Sequence, residues 1–389
     1  MAETLGLPAN VNGLPILVGC HEFDKTQVGL PDGFPSKLVS SLAWKPDDIL
    51  ARREETILQL TESVLAKIND TLAKFKGSGL KLYQLSPATF PLPSLAARFA
   101  TYKTCLHEGP GFFTLRGLTP REWGARENLI IHTGIASYFG NKRALQQNYH
   151  SDTADAIRRF QSPNLDSASH AALTKKHGES GFHSDNGDNV SLYCRQVAAS
   201  GGDLRLSSTW TIYNELATHR KDVLQTLSAP WLYILVLFSG DEELRAEMSP
   251  LFNMHHGKLI VDYQKRPLRG TKEKPRDPRL KPISFQQKEA LSVVNKLAFE
   301  NAISLDQRAG DINFFNNFAI LHARSPFVDD DELEVRRHLT RLIFRNDVDG
   351  WKIFDHMKEK WGKYYNHDPA VETFQEEPSR WAWSLTGHD

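Results

Sequence analysis

Two copies of the triplet His-Ser-Asp, at residues 150–152 and 183–185, are the first candidates for a metal site in this sequence. A histidine and an aspartate two residues apart on an extended strand point to the same face, so they can share one metal ion. The first copy is followed by a polar, helix-like segment. The second leads into NVSLYCRQVA at 189–198, a run typical of a strand. We therefore place the candidate pair at His183 and Asp185 and interpret His150 and Asp152 as loop residues.

A catalytic metal site needs at least one further ligand, and His322 is the best candidate. It lies at the end of the apolar strand in FFNNFAILHARSPF, where the chain turns polar. Two imidazole nitrogens and one carboxylate on one side of an ion leave its other positions open. That arrangement suits catalytic iron(II) and, less specifically, zinc. The rival pair His255 and His256 lies in MHHGKL, which predicts an exposed hairpin turn with Gly257 at positive φ.

The segment VRRHLTRLIFRND at 335–347 predicts a strand with three arginines on one face. In one phase Arg337, Arg341 and Arg345 point into the β core together with Leu339 and Ile343. A buried arginine needs an anion, and a planar guanidinium holds a carboxylate through two hydrogen bonds, so this face could bind a small dicarboxylic acid near the metal. The opposite phase turns the arginines to solvent. The residues that would then face inward are His338, Thr340, Leu342 and Phe344.

Composition excludes several classes of protein. The 389 residues contain 47 Lys and Arg and 47 Asp and Glu, so the chain lacks the basic surplus typical of proteins that bind nucleic acid or anionic membranes. Its three cysteines are too few and too scattered for a disulfide framework. The apolar stretch at 230–240 is about half as long as a membrane helix. The N-terminus lacks a signal-peptide pattern, so we expect a cytoplasmic protein.

The order of predicted elements indicates an α+β fold. Helices are predicted at 46–78, 120–140, 211–228 and 281–301, and a strand at 109–118. From about residue 181, short apolar runs separated by turns predict many strands, which favours a closed or double-sheet β core with helices packed outside. No linker divides residues 1–389, so we expect one domain. Residues 1–100 would form an N-terminal helical layer, and 101–389 the core with helical insertions and a C-terminal segment.

The order and spacing of His183, Asp185, His322 and Arg341 resemble the taurine dioxygenase-like (TauD/TfdA) family of iron(II)- and 2-oxoglutarate-dependent oxygenases. The match extends to longer segments that are similar to successive landmarks of fungal members, from about residue 108 to 346. These segments are GPGFFTLRGL, SGGDLRLSSTWTIYNEL, HHGKLIVDY and NNFAILHARSPFVDD with RRHLTRL.

The resemblance implies a double-stranded β-helix (jelly-roll) core with flanking helices. It implies that His183, Asp185 and His322 bind Fe²⁺. It also implies that Arg341 anchors the distal carboxylate of the cosubstrate 2-oxoglutarate, with Arg337 beside it either assisting or meeting the substrate. With O2, such an enzyme oxidises an unactivated C–H bond by hydroxylation, desaturation or oxidative ring closure and releases succinate and CO2.

One position departs from the family pattern. Where the family often has a Thr or Ser that helps to hold 2-oxoglutarate, this chain has Leu204. The nearest hydroxyls are those of Ser207 and Ser208, and we assign Ser208 to the cosubstrate site. Asn316 or Asn317 is expected to support the metal ligands.

The expected substrate is a small carboxylate-bearing molecule such as an amino acid or a sulfonate-like compound. Gln147 and Asn148 are predicted contacts from the loop beside the site. Ile343 and Arg345 are predicted contacts from the arginine strand, where Arg345 would pair with a substrate carboxylate or with Asp347.

Two other classes of function use the same residues. A zinc-dependent hydrolase would need the two histidines and the aspartate but gives Arg341 no role. A jelly-roll protein that binds a small molecule without catalysis is the second alternative. The sequence leaves the oligomeric state open.

Overall fold

The computed structural model describes residues 28–145, 180–235, 245–270, 280–330 and 337–374, with shorter pieces at 10–11, 14–15, 153–155, 157–158, 275–276, 278 and 335. Within these ranges no helix is long and apolar enough to cross a membrane. The α-helices are α1 Pro46–Ala51, α2 Glu62–Gly77, α3 Ala96–His107, α4 Ala125–Ala136, α5 Thr209–His219, α6 Lys221–Ser228, α7 Lys265–Arg269, α8 Phe285–Glu300 and α9 Asp355–Tyr365.

The strands are short, as expected for an antiparallel sandwich. They are β1 Ile57–Gln59, β2 Phe112–Arg116, β3 Lys142–Arg143, β4 Thr153–Asp155, β5 Ser180–His183, β6 Asn189–Gln196, β7 Leu204–Ser208, β8 Trp231–Leu235, β9 Arg245–Ser249, β10 Phe252–His255, β11 Lys258–Val261, β12 Ala302–Ser304, β13 Ile312–Asn316, β14 Ile320–Arg324 and β15 His338–Arg345. Two-residue strands lie at Asn10–Val11, Leu14–Pro15, Ile157–Arg158, Ser200–Gly201, Phe327–Val328 and Thr373–Phe374.

Two sheets form the core. The large sheet has the strand order β1-β2-β13-β6-β15-β3, and β4 pairs with β15 in parallel. The small sheet has the order β12-β7-β14-β5. Strands distant in sequence are neighbours in both sheets, and helices flank them, so the predicted α+β jelly-roll core is confirmed.

Helices cover the outer face of each sheet. Side chains of α2, α3 and α4 form one apolar cluster with residues of the large sheet, including Phe113, Phe314 and Phe344. On the other side, α5, α6 and α8 pack against one another and α8 contacts β5 and β7 of the small sheet. The two sheets are thus buried on both faces, which explains why their strands read as continuous apolar runs.

Two predicted helices are interrupted. Residues 46–78 form α1, a 3-10 turn at Arg53–Thr56, the strand β1 and then α2, so the predicted single helix is wrong. β1 pairs in parallel with β2, and Leu58 is fully buried, so a tertiary strand pairing overrides the local helical period. The N-terminal layer therefore contributes a strand as well as helices. The predicted helix at 211–228 divides into α5 and α6 at Arg220.

Two buried histidines make stability depend on pH. Burial lowers the pKa of His107 to about 4 and that of His132 to about 3, from an ordinary value of about 6.5. Below pH ~6.5 the unfolded chain binds protons on both side chains and the folded chain does not. The free energy of unfolding therefore falls as the pH falls towards the folded-state values, by about 1.4 kcal/mol per pH unit for each histidine.

We expect His132→Gln to reduce this slope by about 1.4 kcal/mol per pH unit between pH ~4.5 and ~5.5. Urea unfolding at several pH values measures it, and glutamine retains a polar group near Ser191, whose Oγ lies 2.8 Å from His132 Nε2. The matched control is His219→Gln, because His219 is exposed on α5. Equal slopes in the wild type and in His132→Gln would contradict the prediction.

Candidate metal centre

The two candidate histidines lie opposite each other on neighbouring strands. His183 ends β5 and is the direct antiparallel partner of His322 in β14, so both side chains leave the small sheet on the same face. Their ring centroids are 4.2 Å apart. His322 also lies against Phe315 of the large sheet, with ring centroids 4.8 Å apart, which places the pair between the two sheets. His322 stands within its strand and not at the strand end that its sequence context predicts.

Asp185 completes a cluster of three possible ligands. One carboxylate oxygen lies 4.0 Å from His183 Nε2 and the other lies 3.7 Å from His322 Nε2. Two ligand atoms that each lie about 2.1 Å from an ion are at most about 4.2 Å apart, so both distances are compatible with one shared ion. Among the described residues this is the one group of His, Cys, Asp and Glu arranged to hold a metal.

The orientation of His183 suits a metal ligand. Its Nδ1 lies 2.9 Å from the Gly181 carbonyl oxygen, which accepts a hydrogen bond from Nδ1–H. That bond fixes the neutral tautomer with a lone pair on Nε2, the nitrogen that faces Asp185. The donor set of two imidazoles and one carboxylate is that of non-heme iron(II) oxygenases.

Arg341 lies directly against the candidate ligands. Its Nη1 donates to both oxygens of Asp185 at 3.0 Å, and both side chains are buried. Leu339 precedes it on the same face of β15, and Arg337 lies just before the strand. The Arg337 side chain is also buried, and its Nε donates to the Gly202 carbonyl at 3.3 Å.

The arginine strand therefore adopts the inward phase. The alternative, in which the arginines face solvent, is wrong. Neither face of β15 is exposed to solvent, because the face opposite Arg341 is also buried. Leu342 and Phe344 on that face pack into the cluster formed with the N-terminal helices. Sequence period could not separate the two phases because both faces of the strand are covered.

Arg345 has a different partner from those predicted. It donates two hydrogen bonds to Asp188, from Nε at 3.0 Å and from Nη2 at 2.9 Å. Its guanidinium also lies 4.4 Å from the ring centroid of Tyr365. Burial raises the pKa of the Asp188 carboxyl, and Arg345 opposes this rise. Asp188 thus binds the Nε and Nη2 edge of the guanidinium, which Asp347 or a substrate carboxylate was expected to meet.

We expect Arg345→Leu to destabilise the fold by about 3–5 kcal/mol, because Asp188 would remain buried without its counter-charge. The apparent affinity of the remaining folded enzyme for its substrate should be unchanged. Denaturant unfolding and steady-state kinetics test the two expectations, with the double variant Arg345→Leu, Asp188→Asn as a control that recovers part of the stability. Weaker substrate binding with unaltered stability would restore the substrate role of Arg345.

The hydroxyl of Ser208, which was assigned to the cosubstrate, has two partners within the protein. Its hydroxyl donates to the Leu42 carbonyl and accepts from the Thr211 N–H at 3.1 Å. Ser208 is fully buried and caps the N-terminus of α5, so its hydroxyl is already engaged.

Three further residues were predicted to contact the substrate, and the structure describes only one of them, Ile343. Gln147 and Asn148 lie outside the described residues. Ile343 is buried on the same face as Arg341 and stands opposite Val190. A Cβ at Gly187, where φ is +144°, would collide with the Ile343 side chain, so glycine permits this close approach.

Sequence reasoning missed the residues that hold the loop at 184–188. Asp188 binds Arg345, and the Asp188 N–H donates to the Tyr365 hydroxyl at 3.2 Å. The Ser184 N–H donates to the Tyr263 carbonyl at 3.0 Å, and the Tyr263 N–H donates to Ser184 Oγ at 2.8 Å. These partners lie far apart in sequence. The many polar residues in HSDNGDN were the one sequence feature that could have indicated a loop held by hydrogen bonds.

Comparisons with known proteins show the family of the chain. Residues 80–343 match the model of the family "Taurine catabolism dioxygenase TauD, TfdA family". The taurine hydroxylase-like protein SAT17 of Stachybotrys chartarum is 35% identical over 344 residues, which cover 87% of each chain.

Two solved structures show the same fold at low identity. Asparagine oxygenase, in complex with Fe(II), hydroxyasparagine and succinate, has a TM-score of 0.55 at 14% identity and covers 76% of this chain and 98% of its own. The non-heme iron oxygenase OrfP, in complex with Fe and alpha-ketoglutaric acid, has a TM-score of 0.52 at 14% identity and covers 75% and 95%. With a family match over most of its length and a fungal relative at 35% identity, the chain belongs to the TauD/TfdA family of dioxygenases.

Proposed function

We propose that this dioxygenase uses Fe²⁺, 2-oxoglutarate and O2 to oxidise a C–H bond of a small carboxylate-bearing molecule. The observation that carries the proposal is the cluster of His183, Asp185 and His322 between the two sheets, with Arg341 against it. A zinc hydrolase would require no buried arginine beside such a cluster, and a simple binding protein would require no group of three metal ligands.

The residues present fit an iron ion and its cosubstrate. His183, Asp185 and His322 would hold the metal from one side, which leaves positions for 2-oxoglutarate and O2. When bound, iron and 2-oxoglutarate would supply the activation of O2, with release of succinate and CO2.

Two buried arginines would divide the binding of carboxylates between them. Because Arg341 contacts Asp185 itself, it lies close to the metal position. The distal carboxylate of a chelated 2-oxoglutarate is separated from the metal by its carbon chain. Arg337 lies just before β15, four residues from Arg341, so the two Cα atoms are at most about 13 Å apart along the backbone. This spacing supports Arg337 as the anchor of the distal carboxylate, with Arg341 beside the reacting groups, in place of the division expected from sequence.

Apolar side chains would keep water away from the reacting groups. Val190 and Ile343 are paired across the large sheet on the same face as Arg341, and Phe315 lies against His322. All three are almost completely buried. In such surroundings a guanidinium binds a carboxylate more strongly than it would in water.

The structural neighbours support an amino acid as substrate. Asparagine oxygenase is described with hydroxyasparagine, and OrfP with L-Arg and with hydroxy-L-Arg. An amino acid carries the α-carboxylate that Arg341 would bind at the metal.

The experiment is the release of succinate from 2-oxoglutarate by the iron-loaded protein, with a panel of amino acids and aminosulfonates. We expect one class of compound to stimulate succinate release, and the mass of its product to separate hydroxylation from desaturation or ring closure. Hydrolysis supported by zinc without O2 would favour the hydrolase. No stimulated or basal release of succinate, with ligand binding retained, would favour the non-catalytic protein.

A further inference from the structure

The segment at 184–188 carries Asp185 across the gap between β5 and β6 and has no place in either sheet. Ser184, Asp185 and Asp188 are buried. Buried backbone N–H and C=O groups outside a sheet require other hydrogen-bond partners. The side chain of Asn317, in the turn between β13 and β14, supplies three of these bonds.

The Asn317 carboxamide binds the backbone on both sides of the Asp185 Cα. Its Oδ1 accepts from the Asp185 N–H at 2.8 Å, and its Nδ2 donates to the Asp185 carbonyl at 2.8 Å. Nδ2 also donates to the Gly187 carbonyl at 2.6 Å. The Asn317 backbone N–H donates to the Asp188 carbonyl at 2.9 Å. One residue therefore holds the loop backbone at Asp185, Gly187 and Asp188.

We propose that Asn317 is a positioning residue that aims the Asp185 carboxylate at the metal, an inference that rests on the proposed role of Asp185 as a ligand. The loop needs one acceptor and two donors at this point, and a carboxamide offers both on one planar group. A carboxylate would supply the acceptor but would repel the two carbonyl oxygens. An aliphatic side chain would supply neither.

The contacts of Asp185 explain why the orientation of its carboxylate matters for metal binding. Arg341 already holds both of its oxygens at 3.0 Å, while the histidine nitrogens lie 3.7 and 4.0 Å away. While the hydrogen bonds from Asn317 hold the loop backbone, a small rotation of the Asp185 carboxylate would bring one oxygen to an ion shared with the histidines. Without these hydrogen bonds, the loop backbone can shift, and the carboxylate can move with Arg341 away from the histidines. Partners that orient metal ligands typically change metal affinity by about 10–100-fold.

The ends of the loop have anchors of their own. Ser184 is tied to Tyr263 by two hydrogen bonds, and Asp188 is tied to Arg345 and Tyr365. Loss of the Asn317 carboxamide should therefore disturb the middle of the loop without detaching it from the core.

Asn316 offers a matched control. It is as buried as Asn317, at 1% exposure each, but it belongs to β13, where its backbone pairs with Asn189. Its Oδ1 accepts a hydrogen bond from the Phe318 N–H at 3.1 Å, within the same turn. Removing either carboxamide empties a buried polar site, but only the Asn317 change alters the support of Asp185.

The test is the binding of Co²⁺, an air-stable probe for the site, to wild-type protein and to Asn317→Ala, Asn317→Asp and Asn316→Ala. Titration calorimetry gives the affinity, the visible Co²⁺ absorption reports ligand geometry, and thermal unfolding reports stability. We expect both Asn317 variants to bind Co²⁺ about 10–100-fold more weakly with an altered spectrum, and Asn316→Ala to keep affinity and spectrum. Asn317→Asp, of nearly the same size, serves if the alanine variant does not fold.

Unchanged affinity and spectrum in a folded Asn317 variant would overturn the inference, as would an equal loss of affinity in Asn316→Ala. Failure of the wild-type protein to bind Co²⁺ would instead contradict the proposed metal site itself. The two failures are thus distinguishable.

Discussion

Replacing His322 with alanine is expected to abolish measurable iron binding and to reduce turnover by more than about 100-fold, beyond the loss typical of residues that only orient a ligand. His322 opposes His183 directly and lies 3.7 Å from an Asp185 oxygen, so it closes one side of the candidate site. The change removes one ring from between the two sheets, and we expect the protein to remain folded. Anaerobic Fe²⁺ titration and succinate release measure the two effects.

His256→Asn is the matched control for this prediction. His256 lies in the exposed turn between β10 and β11 with φ of 47°, a conformation that asparagine tolerates well. It should keep wild-type iron binding and turnover. If His322→Ala bound iron as well as this control did, His322 would not be a ligand.

Arg337→Ala is expected to weaken the binding of the cosubstrate 2-oxoglutarate by about 2–5 kcal/mol, which corresponds to a change of more than tenfold in its apparent affinity. The reason is that the distal carboxylate would enter a buried site without its counter-charge. Arg341→Ala should mainly weaken the binding of the primary substrate, because Arg341 lies beside Asp185. Steady-state kinetics with each substrate varied in turn separates the two arginines.

Arg341→Lys provides the control for charge alone. Lysine keeps the positive charge but lacks the planar donor pair of a guanidinium, so an intermediate apparent affinity for the primary substrate is expected. If Arg341→Ala weakened the binding of the cosubstrate and Arg337→Ala did not, the division expected from sequence would be right and the one proposed from the geometry wrong.

The elements that carry ligands were predictable because each has a strong local pattern. His183 precedes a strand signal, and His322 lies in an apolar run, so their types and order were visible in the sequence. Of the two His-Ser-Asp copies, the one at 183–185 was the better candidate because a predicted strand follows it. The hairpin with His256 at its turn was also predicted correctly, because Gly257 marks such turns.

What escaped prediction depends on tertiary contacts. The parallel pairing of β1 interrupts the helix predicted at 46–78, and no local period contains that pairing. Ser208 was chosen for its position after the Gly-Gly turn, but its hydroxyl caps α5. Asp188 meets Arg345 across 157 residues of chain, so spacing alone could not pair them. Asn316 and Asn317 were both named from the sequence as candidates to support the ligands, but only the structure shows that Asn317 is the one bound to Asp185.

The most direct measurement is the visible absorption of the protein reconstituted without O2 with Fe²⁺ and 2-oxoglutarate. The proposed metal centre predicts a weak charge-transfer band, which arises when 2-oxoglutarate chelates iron held by His183, Asp185 and His322. The band should be absent in His322→Ala and should require more 2-oxoglutarate in Arg337→Ala. No band in the wild-type protein, or an undiminished band in His322→Ala, would contradict the proposed metal centre.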